Sequence, residues 1–419
     1  MEAPTHATPR QGPAPAGRPR VGFFGHDATE STVIKRARAF AAAGMEVRGF
    51  TFRRDKFNRD YVPQWANTAL GTTVDRHYGR RLLALIRALP ALARERDELA
   101  SLDFLYARNL DMAALALVAR ALGRSRAPLV YEVLDVQRVF LRPSPLGFLF
   151  RLAERLILAR TQLLTVSSRA FMTRYFASVQ GYAGPWFLLE NKVFGLSETD
   201  RRRRPAPERP GGPPCPPHGP WVIAWLGNLR CPRSPLLLCR IAGALGERVR
   251  IHVHGYPTET GLERFRQAIA GHDNIHYFGE YRSPDDLQGI YDRAHLAWAF
   301  DFLDHGTNSA WLLPNRLYEG CFFGAPALAL AGTETGRRVG ELGLGWTVAE
   351  PVDEAVIAFL RGLDENTYLE RRCQLLALPT ALFADEDDME ALCRRILEPD
   401  SGGDEIFARY RRVMARARP

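Results

Sequence analysis

The segment 314–326, PNRLYEGCFFGAP, holds the residue types and spacing best suited to chemistry. Asn315 and Arg316 open a helix, Glu319 lies about one turn in, and Gly324-Ala-Pro ends the helix ahead of the next strand. A carboxylate near a helix start can accept hydrogen bonds from the two hydroxyls of a ribose, and the amides of the same N-terminus can hold a phosphate. A surface helix whose glutamate merely offsets the dipole would read the same way, so both uses stay open at this point. No D-x-D pair sits at a strand end. Asp385-Glu-Asp387 matches the letters but begins a late helix, where acids suit the dipole.

The elements that must position these residues alternate strand and helix. Residues 20–25 (RVGFFG) read as a buried strand. Residues 31–43 read as a helix through Val33, Ile34, Ala37, Phe40 and Ala41, stopped by Gly44, and 45–52 as a second strand. Strand, helix and strand within about 30 residues form a βαβ unit and imply a parallel sheet. The pattern predicts helices over 79–99 (interrupted by Pro90), 111–122, 147–161 and 168–176, the last capped by Ser168, with strands at 104–107, 128–133, 163–166 and 186–190. Residues 201–220 are almost all Arg, Pro and Gly, the composition of an extended, stiff connection. The alternation then restarts. Strands are expected at 221–227, 249–255, 275–278, 296–300, 327–331 and 345–348. Helices are expected at 234–245, 262–270, 284–294, 315–323, 334–342 and 353–364, with more after them.

The expected fold class is therefore α/β, with two Rossmann-like doubly wound domains. The expected divisions are a disordered leader at 1–19, a first domain at 20–197, a Pro/Arg-rich linker at 198–220, a second domain at 221–400 and a C-terminal helix or tail at 401–419. Two such domains should leave a cleft, and ligands of such sheets bind at the carboxyl ends of the strands.

Composition narrows the function classes. The 419 residues suit two to three domains at roughly 150 residues each, and 46% hydrophobic with 25% charged residues excludes a mainly disordered chain. No charge-free run of about 18 apolar residues exists; the stretch 146–158 is broken by Arg151, Glu154 and Arg155. The first 20 residues lack the apolar core of a secretory signal. The six cysteines form no CxxC pair and no cluster with zinc spacing, which suits reduced thiols in the cytoplasm and no metal site. The net charge of +9 fits an anionic partner, or only GC-rich codon usage. No nucleic-acid module is recognisable, so nucleic acid is not an expected partner. The helix at 79–99 sets Arg80, Arg81, Arg87, Arg94 and Arg96 around Leu and Ile. Such a helix can lie on an anionic bilayer, or turn its apolar face into the core.

PNRLYEGCFFGAPALAL, with GTETGRRVGELGLGWTV after it, resembles the donor-binding segment of GT-B glycosyltransferases. It is closest to family-4-like bacterial enzymes, with their PNKLxEYxAxGxPVVA, a Gly-rich turn, and EVVxxGxxGLLV. NIHYFGEYRSPDDLQGIYDRAHLAWAF at 274–300, WLGNLRCPRS at 225–234, the stretch 103–136 ending PLVYEVLDV, LLTVSSR at 163–169 and LLENKV at 188–193 are similar to further family segments in the same order. The resemblance spans residues 20–397. It implies an enzyme that moves a hexose from a nucleotide-diphosphate sugar to a sugar hydroxyl, in the assembly of exopolysaccharide on a lipid-linked oligosaccharide. UDP-glucose is the default donor. Transfer is expected to be metal-independent, retaining and without a cofactor, at the cytoplasmic face of the membrane, with peripheral contact to anionic lipid.

The resemblance also assigns roles to single residues. The second glutamate of the family's E-x7-E motif is Glu319, the ribose ligand. The first falls at Trp311 and is missing, so Asp301, Asp304 and Asn308 become candidates for contact with the transferred sugar. In the donor loop Gly227 is kept, the family arginine is Asn228, and Arg230 and Arg233 follow. Guanidinium forks suit diphosphate oxygens. Thr333 and Thr335 in GTETG, Gly255 at a strand end, and Asn315 and Arg316 complete the donor candidates. On the acceptor side His26 and Asp27 follow the first strand, where a base on an acceptor hydroxyl would stand in inverting members. The family histidine of VYDVHD is Leu134, while Asp135 is kept and joins the catalytic candidates. Two alternatives remain at this stage. One is a nucleotide-sugar 2-epimerase, which needs clustered carboxylates. The other is a catalytically degenerate GT-B protein that binds partners or membrane, suggested by Trp311, Asn228 and Leu134.

Overall fold

Two parallel sheets organise the chain, one of seven strands in the order β3-β2-β1-β4-β5-β6-β7 and one of six in the order β10-β9-β8-β11-β12-β13. The computed structural model describes residues 17–54, 61–73, 78–202, 204–208, 211–216, 218–258 and 261–399. The chain divides into two compact units, residues 1–131 and 132–419. The expected leader and C-terminal tail lie almost wholly outside the described residues.

In the first unit, β1 (Arg20–Gly25) pairs in parallel with β2 (Glu46–Arg53) on one side and β4 (Phe104–Arg108) on the other. Helix α1 (Ser31–Ala42) connects β1 to β2 and packs through Phe40, whose ring meets those of Phe23 and Tyr106 edge-on. Strand β3 (Ala66–Thr72) was not expected. ANTALGT carries little apolar alternation and buries only Leu70, as an edge strand can. Helix α2 (Tyr78–Arg94) runs through Pro90 where an interruption was predicted. The proline forgoes one bond, to the Ile86 carbonyl, on an exposed face, while Ala88 and Leu92 hold the helix down. Short α3 (Arg96–Ala100) precedes β4, and α4 (Asn109–Leu122) leads to β5 (Leu129–Val133), which spans the division.

The second unit begins with α5 (Arg138–Leu141), α6 (Pro145–Leu158) and β6 (Thr161–Val166). The Ser168 hydroxyl caps α7 (Arg169–Phe171) as expected, but the helix then widens to π geometry over Met172–Ala177. Strand β7 (Trp186–Leu188) and α8 (Glu198–Arg202) follow.

The expectation of an extended connection over 201–220 needs correcting for the described part. The Arg204 guanidinium donates to the Phe322 carbonyl at 2.9 Å and stacks over the Phe322 and Phe383 rings. Cys215 is buried, and the Pro213 carbonyl lies 3.1 Å from His295 Nε2. Guanidinium planes can cover aromatic surface as apolar side chains do, which composition alone undercounts.

The second sheet explains its own sequence. Strand β8 (Trp221–Asn228) is one apolar run because both its faces are covered. Trp221, Ile223 and Trp225 join a core with Leu237, Leu238 and Ile241 of α9 (Arg233–Leu245) and Val356 of α15 (Val352–Gly362). Val222, Ala224 and Leu226 face the opposite core, with Leu287 of α11 (Leu287–Tyr291) and Leu317 and Phe322 of α13 (Asn315–Phe322). The remaining strands are β9 (Val249–Tyr256), β10 (Ile275–Gly279), β11 (Leu296–Trp298), β12 (Ala327–Leu330) and β13 (Gly345–Val348). Helices α10 (Leu262–Ile269), α14 (Glu334–Leu342) and α15 lie close to expectation, α11 is much shorter than 284–294, α12 (Asn308–Trp311) is additional, and α16 (Glu365–Leu376) is one of the later helices for which no bounds were expected. Last, α17 (Asp388–Leu397) sets Asp388 2.7 Å from Lys192 and the Ile396 carbonyl against Gln162, and Ala384 bridges Val193.

Candidate functional site

The carboxyl ends of β8 and β9 are drawn together at Gly227 and Gly255, which share a register position. Gly255 has φ +130°, and a Cβ there would sit 1.8 Å from the Gly227 carbonyl oxygen, so only glycine allows this approach. The Asn228 side chain accepts from the Thr258 hydroxyl at 2.5 Å. Beyond it, buried Leu229 and Cys231 anchor the loop and leave Arg230 between them, partly exposed.

Arg230 faces a group of acids. Its guanidinium lies 3.7 Å from Asp135 and 3.9 Å from Asp301. Asp135 above all, then Asp301 and Asp304, raise its pKa against the cost of desolvation. These carboxylates are held in place by others. Asp301 accepts from the Leu303 amide and the Ser309 hydroxyl, and Asp304 pairs with Arg138. Buried Asn308 accepts from the Val136 amide at 2.8 Å and donates to Asp135 at 3.0 Å. The structure thus brings Asp135, Arg230, Asp301, Asp304 and Asn308 together. Arg233 stands apart, paired with Glu350 at 2.7 Å and lying over the Phe302 ring.

Helix α13 supplies the next group. Asn315 is exposed at its start. Arg316 donates to the Trp298 carbonyl at 2.8 Å and to the Phe300 carbonyl, stapling the end of β11 to the helix. Burial pulls its guanidinium below the ordinary value, with Asp301 opposing and Arg230 adding to the effect. Glu319 is buried, and its charge reaches the phenols of Tyr281 and Tyr291. Burial first, then Glu319, pushes both phenols well up. Trp311, where the resemblance sets the missing glutamate, ends α12 with its carbonyl bonded to the Ser168 hydroxyl. At α14 the Thr333 hydroxyl caps the helix by accepting from the Gly336 amide at 3.0 Å, and buried Thr335 donates to the Leu312 carbonyl at 2.9 Å.

His26 and Asp27 belong to the first unit, at the end of β1. His26 Nε2 bonds Glu30, while Nδ1 lies 3.3 Å from the side-chain amide of Asn109, a residue in left-handed backbone (φ 71°). Desolvation opposes ionisation of Glu30, yet His26 and Arg108 together hold its carboxyl below the usual range. Asp27 accepts from the Thr29 amide and hydroxyl and from the Arg54 amide, an anchor for its own loop.

The chain is 35% identical over 382 residues to the succinoglycan biosynthesis protein ExoL of Rhizobium meliloti (strain 1021), covering 90% of this chain and 93% of that protein. Among solved structures, it is similar to sucrose-phosphate synthase from Thermosynechococcus elongatus at a TM-score of 0.64 and 16% identity, covering 94% of this chain and all of that one. It is also similar to Alr3699/HepE of Anabaena in complex with UDP and glucose, at 0.62 and 14%, covering 90% and 99%. The chain belongs to the family of the succinoglycan biosynthesis protein ExoL, and its fold is GT-B. No family model matches the sequence.

Within this family assignment, three participants escaped the sequence reading. Arg138 and Glu350 hold Asp304 and Arg233, and nothing local marks a partner more than 100 residues away. Tyr281 beside Glu319 had a usable signal, an aromatic two residues past the glycine that ends β10. Among the described residues, no three His, Cys, Asp or Glu side chains are grouped to hold a metal ion, and no helix is long and apolar enough to cross a membrane.

Proposed function

We propose that this glycosyltransferase moves glucose from UDP-glucose to a sugar hydroxyl of a lipid-linked intermediate in exopolysaccharide assembly, with retention and without a metal ion. The observation that carries the reading is the meeting of Arg230 and the Arg316-stapled end of β11 at Asp135 and Asp301, with Glu319 one turn along α13. Glu319 would take the ribose hydroxyls. Arg230 would exchange its loose contacts with Asp135 and Asp301 for the donor diphosphate, aided by the first amides of α13. Asn308 and the acids it organises would contact the transferred sugar. The name of the ExoL relative supports the pathway, and the UDP and glucose bound by HepE support the donor.

Bond-breaking between the sugar C1 and the β-phosphate oxygen leaves negative charge on that oxygen, which fixed guanidinium groups stabilise. With retention, the acceptor oxygen bonds C1 on the face the diphosphate leaves, and the departing phosphate oxygen can take the acceptor proton. His26 and Asp27 would then orient an acceptor rather than act as its base. Helix α2, whose solvent side carries Leu82, Leu83 and Ile86 beside Arg80 and Arg87, would contribute peripheral contact with anionic lipid on the cytoplasmic face.

Turnover of a panel of nucleotide sugars, with NMR of the product's anomeric proton, tests this. UDP release from UDP-glucose and a product of unchanged configuration are expected. No release from any donor sinks the transferase reading. Inversion, with a loss of roughly 10²–10⁴-fold in kcat for His26→Asn, assigns His26 as the base instead.

A further inference from the structure

A buried hydroxyl lies beside the candidate ribose ligand. Tyr291 ends α11 and is fully buried, yet among the described residues its phenol oxygen has no hydrogen-bond partner. The carbons of the ring are well used. They belong to the core beneath α13 and stack on Phe323, with ring centroids 6.1 Å apart. The hydroxyl adds nothing to that packing. Burying it without a bond costs stability, and phenylalanine would fill the same space without that cost. Such a group calls for a reason beyond the fold.

Helix α13 fixes where the hydroxyl lies. Residues 316, 320 and 323 share one face at the helical period. A Cβ on Gly320 would stand 2.6 Å from the Ala297 Cβ and 3.3 Å from Tyr291 Cε1, so glycine lets the ring lie close along this face. Cε1 is bonded to the carbon that carries the hydroxyl. The ring therefore runs from Phe323 towards the helix start and brings its oxygen end to the level of residue 320, next to buried Glu319. The local charges agree with this placement. After burial, the Glu319 carboxylate is the main influence that pushes the phenol well up, with Tyr281 adding to it and Arg316 opposing. The oxygen keeps its proton, and towards a carboxylate it donates. A bond of that kind favours the ionised carboxylate and fixes its direction, both of which a ligand for two ribose hydroxyls needs.

We infer that Tyr291 is a positioning residue for the donor, whose hydroxyl donates to the Glu319 carboxylate when that carboxylate takes the ribose hydroxyls. Tyr291 is fully buried and acts through Glu319. The inference rests on the reading of Glu319 as the ribose ligand and adds to it the group that aims the carboxylate.

UDP and its 2′,3′-dideoxy analogue are titrated calorimetrically into the full chain as wild type, Tyr291→Phe, Glu319→Ala and the double variant. Tyr291→Phe should weaken UDP by about tenfold, the worth of a hydrogen bond to a charged group, and the dideoxy analogue by less than about twofold. In the Glu319→Ala background, Tyr291→Phe should change UDP affinity by less than about twofold, because both residues act through one contact. The unfolding temperature of Tyr291→Phe should equal or exceed that of wild type, since the change removes only a hydroxyl without a partner. Three results would overturn the inference. One is UDP bound as tightly by Tyr291→Phe as by wild type. Another is equal losses for both ligands, the mark of a packing defect. The third is a full loss that persists without Glu319, which assigns the hydroxyl to another group. If wild type binds neither ligand, or both equally well, the ribose reading of Glu319 itself falls and takes the inference with it.

Discussion

Arg230 is a cation whose nearest acids sit slightly too far away for tight bonds, at 3.7 and 3.9 Å, while each of those acids has a firmer partner elsewhere. That arrangement suits a side chain that is held ready and then transferred to an anionic ligand. Arg230→Ala should lower kcat/KM by about 10²–10³-fold, as expected for loss of a group that binds the donor diphosphate and stabilises the further charge that develops on it, with Arg230→Lys recovering part of it. Steady-state kinetics with UDP-glucose checks this. Buried His295 gives a second residue-scale test. Its Nδ1 accepts from the Val222 amide at 2.9 Å and Nε2 faces the Pro213 carbonyl. Burial pulls the imidazole down to about 4, against 6.5 in the unfolded chain. The unfolded state therefore binds the proton first, and the stability due to neutral His295 is complete above about pH 6.5 and lost towards about pH 4. Urea unfolding across that range should show a loss of about 3 kcal/mol from this group, and a flatter slope in His295→Asn.

Elements carry the geometry that these residues need. The approach of β8 and β9 at Gly227 and Gly255 admits no side chain, so Gly255→Ala should unfold the donor loop locally and abolish nucleotide binding, with a fall in unfolding temperature by calorimetry. Asn308 joins α12 to the Val136 amide and Asp135, and Asn308→Ala should cost about 1–3 kcal/mol by leaving buried groups without partners. The second sheet was legible because doubly buried strands such as WVIAWLG write themselves as continuous apolar runs. Strand β3 was not, because an edge strand with Asn, Thr and Gly carries no alternation, and the 284–294 segment kept only one short helical turn or so at Leu287–Tyr291. Of the candidate site, Glu319 and the Asp301–Asn308 loop were legible from order and spacing. The grouping of that loop with Arg230 and Asp135 was not, since it depends on contacts between residues up to 173 positions apart.

For the molecule as a whole, the Arg- and Pro-rich segment matters more than its composition suggests. Arg204→Ala removes a carbonyl bond and two aromatic stackings and should lower stability by about 1–3 kcal/mol, read as a shift in urea midpoint with unchanged slope. The central claim is that the second unit is a uridine-nucleotide donor site with Glu319 on the ribose. Calorimetric titration of UDP, GDP and ADP into wild type and Glu319→Ala addresses it most directly, and a nucleotide at about 100 times its Kd should also raise stability by about 2.7 kcal/mol. The expected result is that UDP binds and that Glu319→Ala weakens it by about 10–100-fold, the worth of hydrogen bonds to a charged group. If no nucleotide binds, or if UDP binds Glu319→Ala as tightly as wild type, the donor site described here is contradicted.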